Sequence, residues 1–217
     1  MKIYHRWQKA LDLEALIRCN GPMHRILACL LFFTAALYAD EVDSKDNTIV
    51  LGKRVGLIKP GMSATDIERA YGKENLKLQK IPGAEGEEID GAKLFAGTDR
   101  ELEIVWDPDN EKKQVVFDIR VMGKAWKFEN GLKSGMTVAE IEKINGKPFK
   151  IAGFDWDYGG YANFEGGKLD GKVSIRFSPS TENVPEYLSG DKQLSSSDKQ
   201  LRAAKPLVDE GISVFMK

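Results

Sequence analysis

Residues 135–148 read GMTVAEIEKINGKP. An earlier segment, residues 61–72, reads GMSATDIERAYG and superimposes without a gap on residues 135–146. Residues 61–72 are called the first segment below, and residues 135–148 the second. The identical positions are Gly61 with Gly135, Met62 with Met136, Ile67 with Ile141, Glu68 with Glu142 and Gly72 with Gly146. A helix-start pattern that occurs twice at this level of identity indicates an internal duplication. The sequence therefore predicts a chain built from two copies of one small unit.

The second segment carries the signals of a short helix at both ends. Thr137 and Glu140 have the spacing of a capping box, in which the hydroxyl and the carboxylate each accept a hydrogen bond from an otherwise unpaired backbone N–H. Asn145 and Gly146 suit a left-handed C-terminal cap. Pro148 prevents the helix from continuing, because proline has no N–H and clashes with the preceding turn.

The first segment repeats these signals. Ser63 and Asp66 take the same N-terminal roles, and Gly72 ends the helix. Apolar residues recur at helical spacing in both segments, as Ile67, Ala70 and Tyr71 in the first and Val138, Ile141 and Ile144 in the second. Helices of about two to three turns are not stable alone in water, so each must pack on a sheet.

The segments between the helices predict β-strands with turn-forming residues at their ends. The predicted strands are Leu76–Ile81, Glu101–Trp106 and Gln114–Val121 in the first copy, and Phe149–Ile151, Lys172–Phe177 and Ile212–Met216 in the second. The fold class that follows is α+β, with two tandem repeats that each pack a short helix on an antiparallel β-sheet. The predicted boundaries are residues 48–122 for repeat 1, residues 123–217 for repeat 2, and residues 178–210 for a long insertion in repeat 2, with a short helix at Asp198–Ala204.

Residues 23–39 have the pattern of a cleaved export signal. Met23-His24-Arg25 is basic, Ile26–Ala36 is apolar, and small residues allow cleavage after Ala36 or after Ala39. The apolar run is shorter than the about 20 residues needed to span a bilayer, so the mature chain has no predicted transmembrane segment. Residues 1–39 are therefore predicted to be an N-terminal extension and signal peptide, with translation starting at Met23.

This cleavage has consequences for the possible chemistry of the mature chain. Every cysteine and histidine of the sequence lies before the predicted cleavage site, namely His5, Cys19, His24 and Cys29. A Ser-His-Asp triad, a Cys-His pair and a histidine-based zinc site are therefore excluded. The net charge of -1 gives no basic excess of the kind that nucleic-acid binding requires. We expect no cofactor and no metal.

Residues 154–158 read FDWDY and alternate aromatic with acidic side chains. On a strand, this period places the aromatic side chains on one face and the aspartates on the other. Two interpretations remain open, because the aromatic residues either fill the core or form a recognition surface for a protein or a glycan. Gly159-Gly160 either makes a turn or allows a ligand to approach the backbone closely. The candidate binding residues are Phe154, Asp155, Trp156, Asp157, Tyr158 and Tyr161.

Asp155 and Asp157 also support an enzymatic alternative. Neighbouring residues on one face of a strand lie about 7 Å apart, which is within the range for the acid and base of a glycosidase. Catalysis also requires a carboxyl group with a raised pKa in a dry cleft, and the sequence does not indicate one. We therefore expect no enzymatic activity, and the alternative function is a carbohydrate-active hydrolase that uses these two residues.

The repeated helix resembles a known family. Its Gly-Met-(Ser/Thr) start, its (Asp/Glu)-Ile-Glu centre and its closing glycine are similar to the SmpA/OmlA (BamE-like) modules of bacterial envelopes, over about fifteen residues in each copy. The tandem arrangement resembles the beta-lactamase-inhibitory-protein family, and residues 146–160 resemble a group of exported bacterial proteins. These resemblances imply a helical segment packed on an antiparallel sheet and a role in binding proteins. The predicted mature chain lacks the lipidated cysteine and the disulfides of those families, so no functional residue transfers by position.

These observations predict an exported protein, periplasmic or secreted, that acts as a non-catalytic protein-binding or scaffolding module of the bacterial envelope. The expected partner is another envelope protein or a glycan, and nucleic acid is not expected. The expected contact surface comprises the aromatic segment at residues 154–161 and the insertion after Phe177.

Overall fold

The computed structural model describes residues 45–83, 86–180 and 184–217. In these ranges the chain is an α+β protein that combines short helices with antiparallel sheets. The predicted extension and signal peptide at residues 1–39 lie outside the described residues. No helix in the described ranges is long and apolar enough to cross a membrane.

Both predicted helices form, as α1 (Ala64–Tyr71) and α2 (Val138–Asn145), and both capping boxes are confirmed. In α1, the backbone N–H of Ser63 donates to the carboxylate of Asp66 at 3.0 Å. In α2, the backbone N–H of Thr137 donates to Glu140 at 2.8 Å. These contacts satisfy backbone N–H groups that a helix otherwise leaves unpaired, so each helix start is fixed by its own local sequence.

The helix ends and buried faces also follow from the sequence. Gly146 adopts the predicted left-handed cap conformation, with φ 80° and ψ 1°. Gly72 ends α1 with a different geometry, φ 90° and ψ 136°. Both helices bury the apolar face that the sequence predicts, with Ile67 in α1 and Ile141 in α2 fully inaccessible to solvent.

The strands are β1 (Thr48–Val50), β2 (Arg54–Val55), β3 (Leu76–Pro82), β4 (Glu88–Leu94), β5 (Leu102–Trp106), β6 (Val116–Val121), β7 (Lys127–Phe128), β8 (Lys150–Ala152), β9 (Ala162–Asn163), β10 (Val173–Ser174), β11 (Phe177–Ser178), β12 (Gln193–Ser195), β13 (Leu207–Val208) and β14 (Ile212–Phe215). The insertion also contains α3 (Lys199–Ala203), whose N-cap is Asp198. The short helix predicted at Asp198–Ala204 is thereby confirmed.

The largest sheet has six antiparallel strands in the order β10-β14-β6-β5-β4-β3. Leu102, Ile104 and Trp106 alternate along β5 and are all buried, as the sequence predicts. Along β14, buried and half-buried residues also alternate. One face of the sheet therefore joins the hydrophobic core, while the other keeps partial contact with solvent.

The predicted strand Lys172–Phe177 is divided into two short strands. β10 pairs with β14, whereas β11 pairs with β13. The two residues between them face another neighbour, because the Ile175 carbonyl accepts from the Ala162 N–H at 2.9 Å and Arg176 bridges to Tyr161. Single-strand periodicity cannot indicate such a change of partner, since it depends on residues far away in the sequence.

The remaining strands form smaller sheets. β8 lies between β12 and β9 in a three-stranded antiparallel sheet. β1 pairs with β2 antiparallel and with β7 parallel. The pairing of β11 with β13 joins the two ends of the insertion, so the insertion leaves and rejoins the second half of the chain at one point.

Asp118 lies on β6, next to the seam where β6 pairs with β14. Only 8% of the residue is exposed, and its Oδ1 atom is buried without a hydrogen-bond partner among the described residues. Burial raises the pKa of Asp118 from 3.8 to about 6, although the Ser213 hydroxyl and the Arg120 guanidinium oppose this change. The charged carboxylate is therefore destabilised in the folded protein by about 3 kcal/mol, at roughly 1.4 kcal/mol for each pH unit.

We expect Asp118→Asn to stabilise the protein at neutral and higher pH. The folded-state pKa of Asp118 is raised, so its contribution is favourable below its unfolded-state pKa of about 3.8 and is lost as the pH rises through about 6. The variant removes the charge and should increase the free energy of unfolding at about pH 8 by about 1–3 kcal/mol, with little or no gain at about pH 4. Urea unfolding across this pH range measures the change.

Asp90→Asn is the matched control, because the Asp90 side chain is 82% exposed and pairs with Lys80 at the surface. A surface ion pair of this kind contributes at most about 1 kcal/mol. If both variants had the same pH profile, buried charge at Asp118 would not be the cause.

Candidate binding surface

The aromatic segment at residues 154–158 forms a turn, so the predicted strand at this place is wrong. Phe154 makes one isolated bridge to Ser189, and a turn follows it. Asp155 adopts a left-handed backbone conformation with φ 61°, which breaks an extended chain. The alternation of aromatic and acidic residues therefore does not place them on opposite faces of a sheet.

The turn separates the aromatic side chains by burial. Phe154 is 3% exposed and belongs to the core, and Trp156 is half-buried. The indole N–H of Trp156 donates to the Gly153 carbonyl at 2.8 Å, and its ring contacts Tyr158 edge to face at 5.5 Å. Tyr158 is 49% exposed and Tyr161 is 43% exposed. Phe154 therefore fills the core, as the first interpretation predicts, whereas the two tyrosines face solvent.

The hydrolase hypothesis assumes that the two aspartates are neighbours on one face of a strand, and the structure places them in a turn. Both are exposed, and Asp155 accepts a hydrogen bond from the Ser189 hydroxyl at 2.8 Å. Among the described residues, no three His, Cys, Asp or Glu side chains are grouped so that they could hold a metal ion.

The glycine pair after the aromatic residues is needed for packing within the chain. A side chain at Gly160 would place its Cβ 2.1 Å from the Phe177 carbonyl oxygen, and Gly160 has φ 81°. A Cβ at Gly159 would lie 2.9 Å from the Trp156 carbonyl oxygen. The close approach that glycine allows here is therefore that of the chain's own backbone, which holds the turn against β11.

The insertion packs against the aromatic turn through backbone hydrogen bonds. The N–H of Phe154 donates to the Leu188 carbonyl, and the N–H of Gly190 donates to the Phe154 carbonyl, each at 2.8 Å. Tyr187, which directly precedes Leu188, is 47% exposed. The sequence analysis did not identify Tyr187, since nothing near it in sequence indicates that it lies beside the aromatic turn. Tyr158 and Tyr161 are exposed at the aromatic turn, and Tyr187 is exposed on the segment that is hydrogen-bonded to it. These three residues are together called the tyrosine surface below.

Arg176 supports the turn from the neighbouring segment. Its Nε donates to the Gly159 carbonyl at 2.9 Å, and its guanidinium lies 5.5 Å from the centre of the Tyr161 ring. A cation at this distance from an aromatic face stabilises the ring position. The orientation of Tyr161 is therefore fixed by a contact from outside the turn.

A network around Glu142 anchors the insertion to α2. The buried hydroxyl of Ser196 donates to Glu142 at 2.5 Å, and Arg202 forms an ion pair with the other carboxylate oxygen at 2.8 Å. Ser196 also accepts from the Phe149 N–H at 2.9 Å. Burial alone would raise the pKa of Glu142, but the hydrogen bonds from Ser196 and Arg202 and the charge of Arg202 together lower it.

Comparisons with known proteins do not assign this surface. No protein-family model matches the chain. No curated protein matches it either. The crystal structure of the uncharacterized protein YfeY from Escherichia coli aligns with 78% of this chain and 99% of that protein, at 15% identity and a TM-score of 0.41. A TM-score at this level does not establish a shared fold.

Gly160→Ala is expected to destabilise the protein and displace the aromatic turn. The new Cβ would overlap the Phe177 carbonyl and would hold a non-glycine residue at φ 81°. We expect a loss of about 2 kcal/mol or more in the free energy of unfolding, measured by urea titration. Gly131→Ala is the control, because Gly131 has the same φ of 81° with no atom within 4 Å. Equal losses in both variants would show that backbone strain alone explains the effect.

We expect Glu142→Gln to loosen the insertion. The pKa of Glu142 is lowered in the folded protein, so its contribution is present above the ordinary value of 4.5 and is lost as the pH falls through the folded-state pKa. At neutral pH the variant should lose about 1–3 kcal/mol of unfolding free energy. Hydrogen exchange should quicken in β12 and α3, which the network connects to α2.

Glu68→Gln provides the matched control for this prediction. Glu68 aligns with Glu142 in the repeated segment, but it makes no ion pair within the described residues. We expect its substitution to change the unfolding free energy by less than about 0.5 kcal/mol. The anchoring role of Glu142 would be contradicted by similar hydrogen-exchange profiles in the two variants.

Proposed function

We propose that this protein is a non-catalytic binding or scaffolding protein of the bacterial envelope, and that it contacts its partner through the tyrosine surface. The observation that carries the proposal is that three tyrosines, Tyr158, Tyr161 and Tyr187, are each more than two-fifths exposed on segments held by backbone hydrogen bonds. Tyrosine supplies a large contact area with little conformational freedom to lose, which is why binding surfaces are enriched in it.

The loops that carry these residues are fixed before any partner binds. Phe154 and Leu188 are buried and connect the turn to the insertion through paired backbone hydrogen bonds. A surface that is already ordered loses less entropy on association than a mobile loop does. This supports a role in recognition for the tyrosine surface.

The charge around the tyrosines favours a partner with basic groups. Acidic side chains outnumber basic ones on the same segments, and the residues are Asp155, Asp157, Glu186 and Asp191 against Arg176 and Lys192. Complementary charge increases the rate of encounter and excludes partners of like charge. A protein that presents lysine or arginine beside an apolar patch fits these properties best.

The proposed location is the periplasm or the exterior of the cell. It rests on the predicted export signal at residues 23–39, and in the predicted mature chain no cysteine or histidine remains. The proposed mature protein would therefore be stabilised by its core without disulfides.

We further propose that residues 48–122 and 123–217 are two copies of one unit. Two sets of contacts support this beyond the helices. The Met62 carbonyl accepts from the Val116 N–H, and the Met136 carbonyl accepts from the Val208 N–H, each at 2.9 Å. In the large sheet, β5 and β6 are followed by β14 and β10, which is the mirrored order that a two-fold axis would produce.

A triple variant, Tyr158→Ala, Tyr161→Ala and Tyr187→Ala, is expected to lose the partner while it remains folded. The removed side chains are exposed, so the unfolding free energy should change by less than about 1 kcal/mol. Replacing residues at the centre of an interface typically weakens binding by about 2 kcal/mol or more, which is roughly thirtyfold. The measurement is affinity capture from envelope extract, with a photo-crosslinking amino acid at position 158 to identify the contacted protein.

Leu78→Ala is the control, because Leu78 is 51% exposed and lies on β3, outside the tyrosine surface. The same crosslinker at position 78 reports non-specific contacts. A partner set that the triple variant retains in full would place the binding site elsewhere. If a polysaccharide rather than a protein were retained by the wild type and lost by the triple variant, the partner would be a glycan.

A further inference from the structure

A cavity of about 290 Å³ lies outside the tyrosine surface, beside the connection from β6 to β7. Its walls are mainly apolar and include Trp126, Phe128, Leu132 and Ile212, which are all less than 9% exposed. Small-molecule sites occupy roughly 300–1,000 Å³ and are lined mostly by apolar and aromatic side chains with a few polar groups. This cavity is at the lower limit of that range.

Two contacts hold Trp126, one of the residues that line the cavity. The indole N–H of Trp126 donates to the Arg100 carbonyl at 3.0 Å. The Arg100 guanidinium lies 5.9 Å from the Trp126 ring. Met122 forms part of the opposite rim and is 40% exposed, although methionine is normally buried. The cavity therefore combines a fixed aromatic wall with an adaptable thioether side chain.

The charged groups at the rim have an excess of positive charge. Lys124 and Lys133 both line the cavity and are exposed, and Glu210 is the acidic residue among its lining side chains. Within the described residues, neither lysine makes an ion pair with a carboxylate. Two ammonium groups beside an apolar cavity favour a ligand with an apolar body and an anionic head.

The shape beyond the cavity also fits an elongated ligand. A second cavity of about 500 Å³ shares Ser134 and Glu210 with the first. Its lining includes Leu207, which is 38% exposed, and the backbone around Ser178. A ligand longer than the first cavity therefore has an adjoining space to enter.

We infer that this cavity is a binding site for an amphipathic anion, in which an alkyl chain lies against Trp126 and Leu132 and a carboxylate lies between Lys124 and Lys133. The site shares no residue with the tyrosine surface. It adds a small-molecule ligand to a protein whose proposed function is to bind a macromolecule.

Three probes with the same alkyl chain and different head charges test the inference, namely octanoate, octanol and octylammonium. Calorimetric titration of the full chain should give the tightest binding for octanoate and the weakest for octylammonium. In the double variant Lys124→Ala and Lys133→Ala, the dissociation constant for octanoate should rise by about three- to tenfold, because two exposed ion pairs are lost. The dissociation constant for octanol should not change.

Two further variants separate charge at this rim from general effects. Lys127→Ala with Lys150→Ala removes two exposed lysines that do not line the cavity, and it should leave all three affinities unchanged. Glu210→Gln should strengthen octanoate binding by about two- to threefold, because it removes a like charge from the rim. The opposite directions of the lysine and glutamate effects distinguish an anion site from a loss of folding.

Saturable octanoate binding that weakens in the lysine variant and strengthens in Glu210→Gln would establish the site. The inference would be overturned by an octanoate titration that does not saturate in the wild type. Equal losses of octanoate and octanol affinity in the lysine variant would also overturn it. Neither result would affect the proposal for the tyrosine surface, which is tested with different residues and a different ligand.

Discussion

β14 pairs with β6 along four residue pairs, from Ile212 with Val121 to Phe215 with Asp118, and the large sheet is continuous only because of this pairing. Without it, β6 would be an exposed edge, and β10 with β14 would form a separate two-stranded sheet. The paired residues are far apart in the sequence, so the contact is formed at the cost of closing a long loop. Asp118 lies at this seam, and its buried charge opposes the interaction that holds the two halves of the sheet together.

Elements whose signals are local could be predicted from the sequence. The capping boxes at Ser63 and Thr137 involve side chains three residues apart, and the left-handed cap at Gly146 requires only a glycine at the right position. The strand at Leu102–Trp106 places its three alternate apolar residues, Leu102, Ile104 and Trp106, in the core, as the sequence predicts. In each case the forces that fix the structure act between neighbours in the sequence, so the pattern contains the necessary information.

The candidate site could be predicted only in part, because its geometry depends on distant contacts. The FDWDY pattern is typical of a strand, yet this segment forms a turn. The turn depends on the close approach of Gly160 to the Phe177 carbonyl oxygen and on the hydrogen bond from the Phe154 N–H to the Leu188 carbonyl. These partners belong to β11 and to the insertion, and no local pattern identifies them. The same limit explains why Tyr187 and the network of Glu142 with Arg202 were missed. Two of the three exposed tyrosines, Tyr158 and Tyr161, belong to the segment that the sequence singles out, but the arrangement of that segment does not follow from its pattern.

The shifted pKa values of Asp118 and Glu142 have causes within the packing of the protein. A strongly shifted pKa in a cleft often marks a catalytic group, and Asp118 has such a shift. Its cause, however, is burial next to the β6–β14 seam. Glu142 has its pKa lowered by Ser196 and Arg202, which use its carboxylate to anchor the insertion. Both shifts thus follow from packing contacts that hold the sheet and the insertion. The exposed tyrosines also make contacts within the chain, since Tyr158 packs on Trp156 and Tyr161 on the Arg176 guanidinium, but more than two-fifths of each residue faces water. This exposure is the basis of the proposal that these side chains contact another molecule.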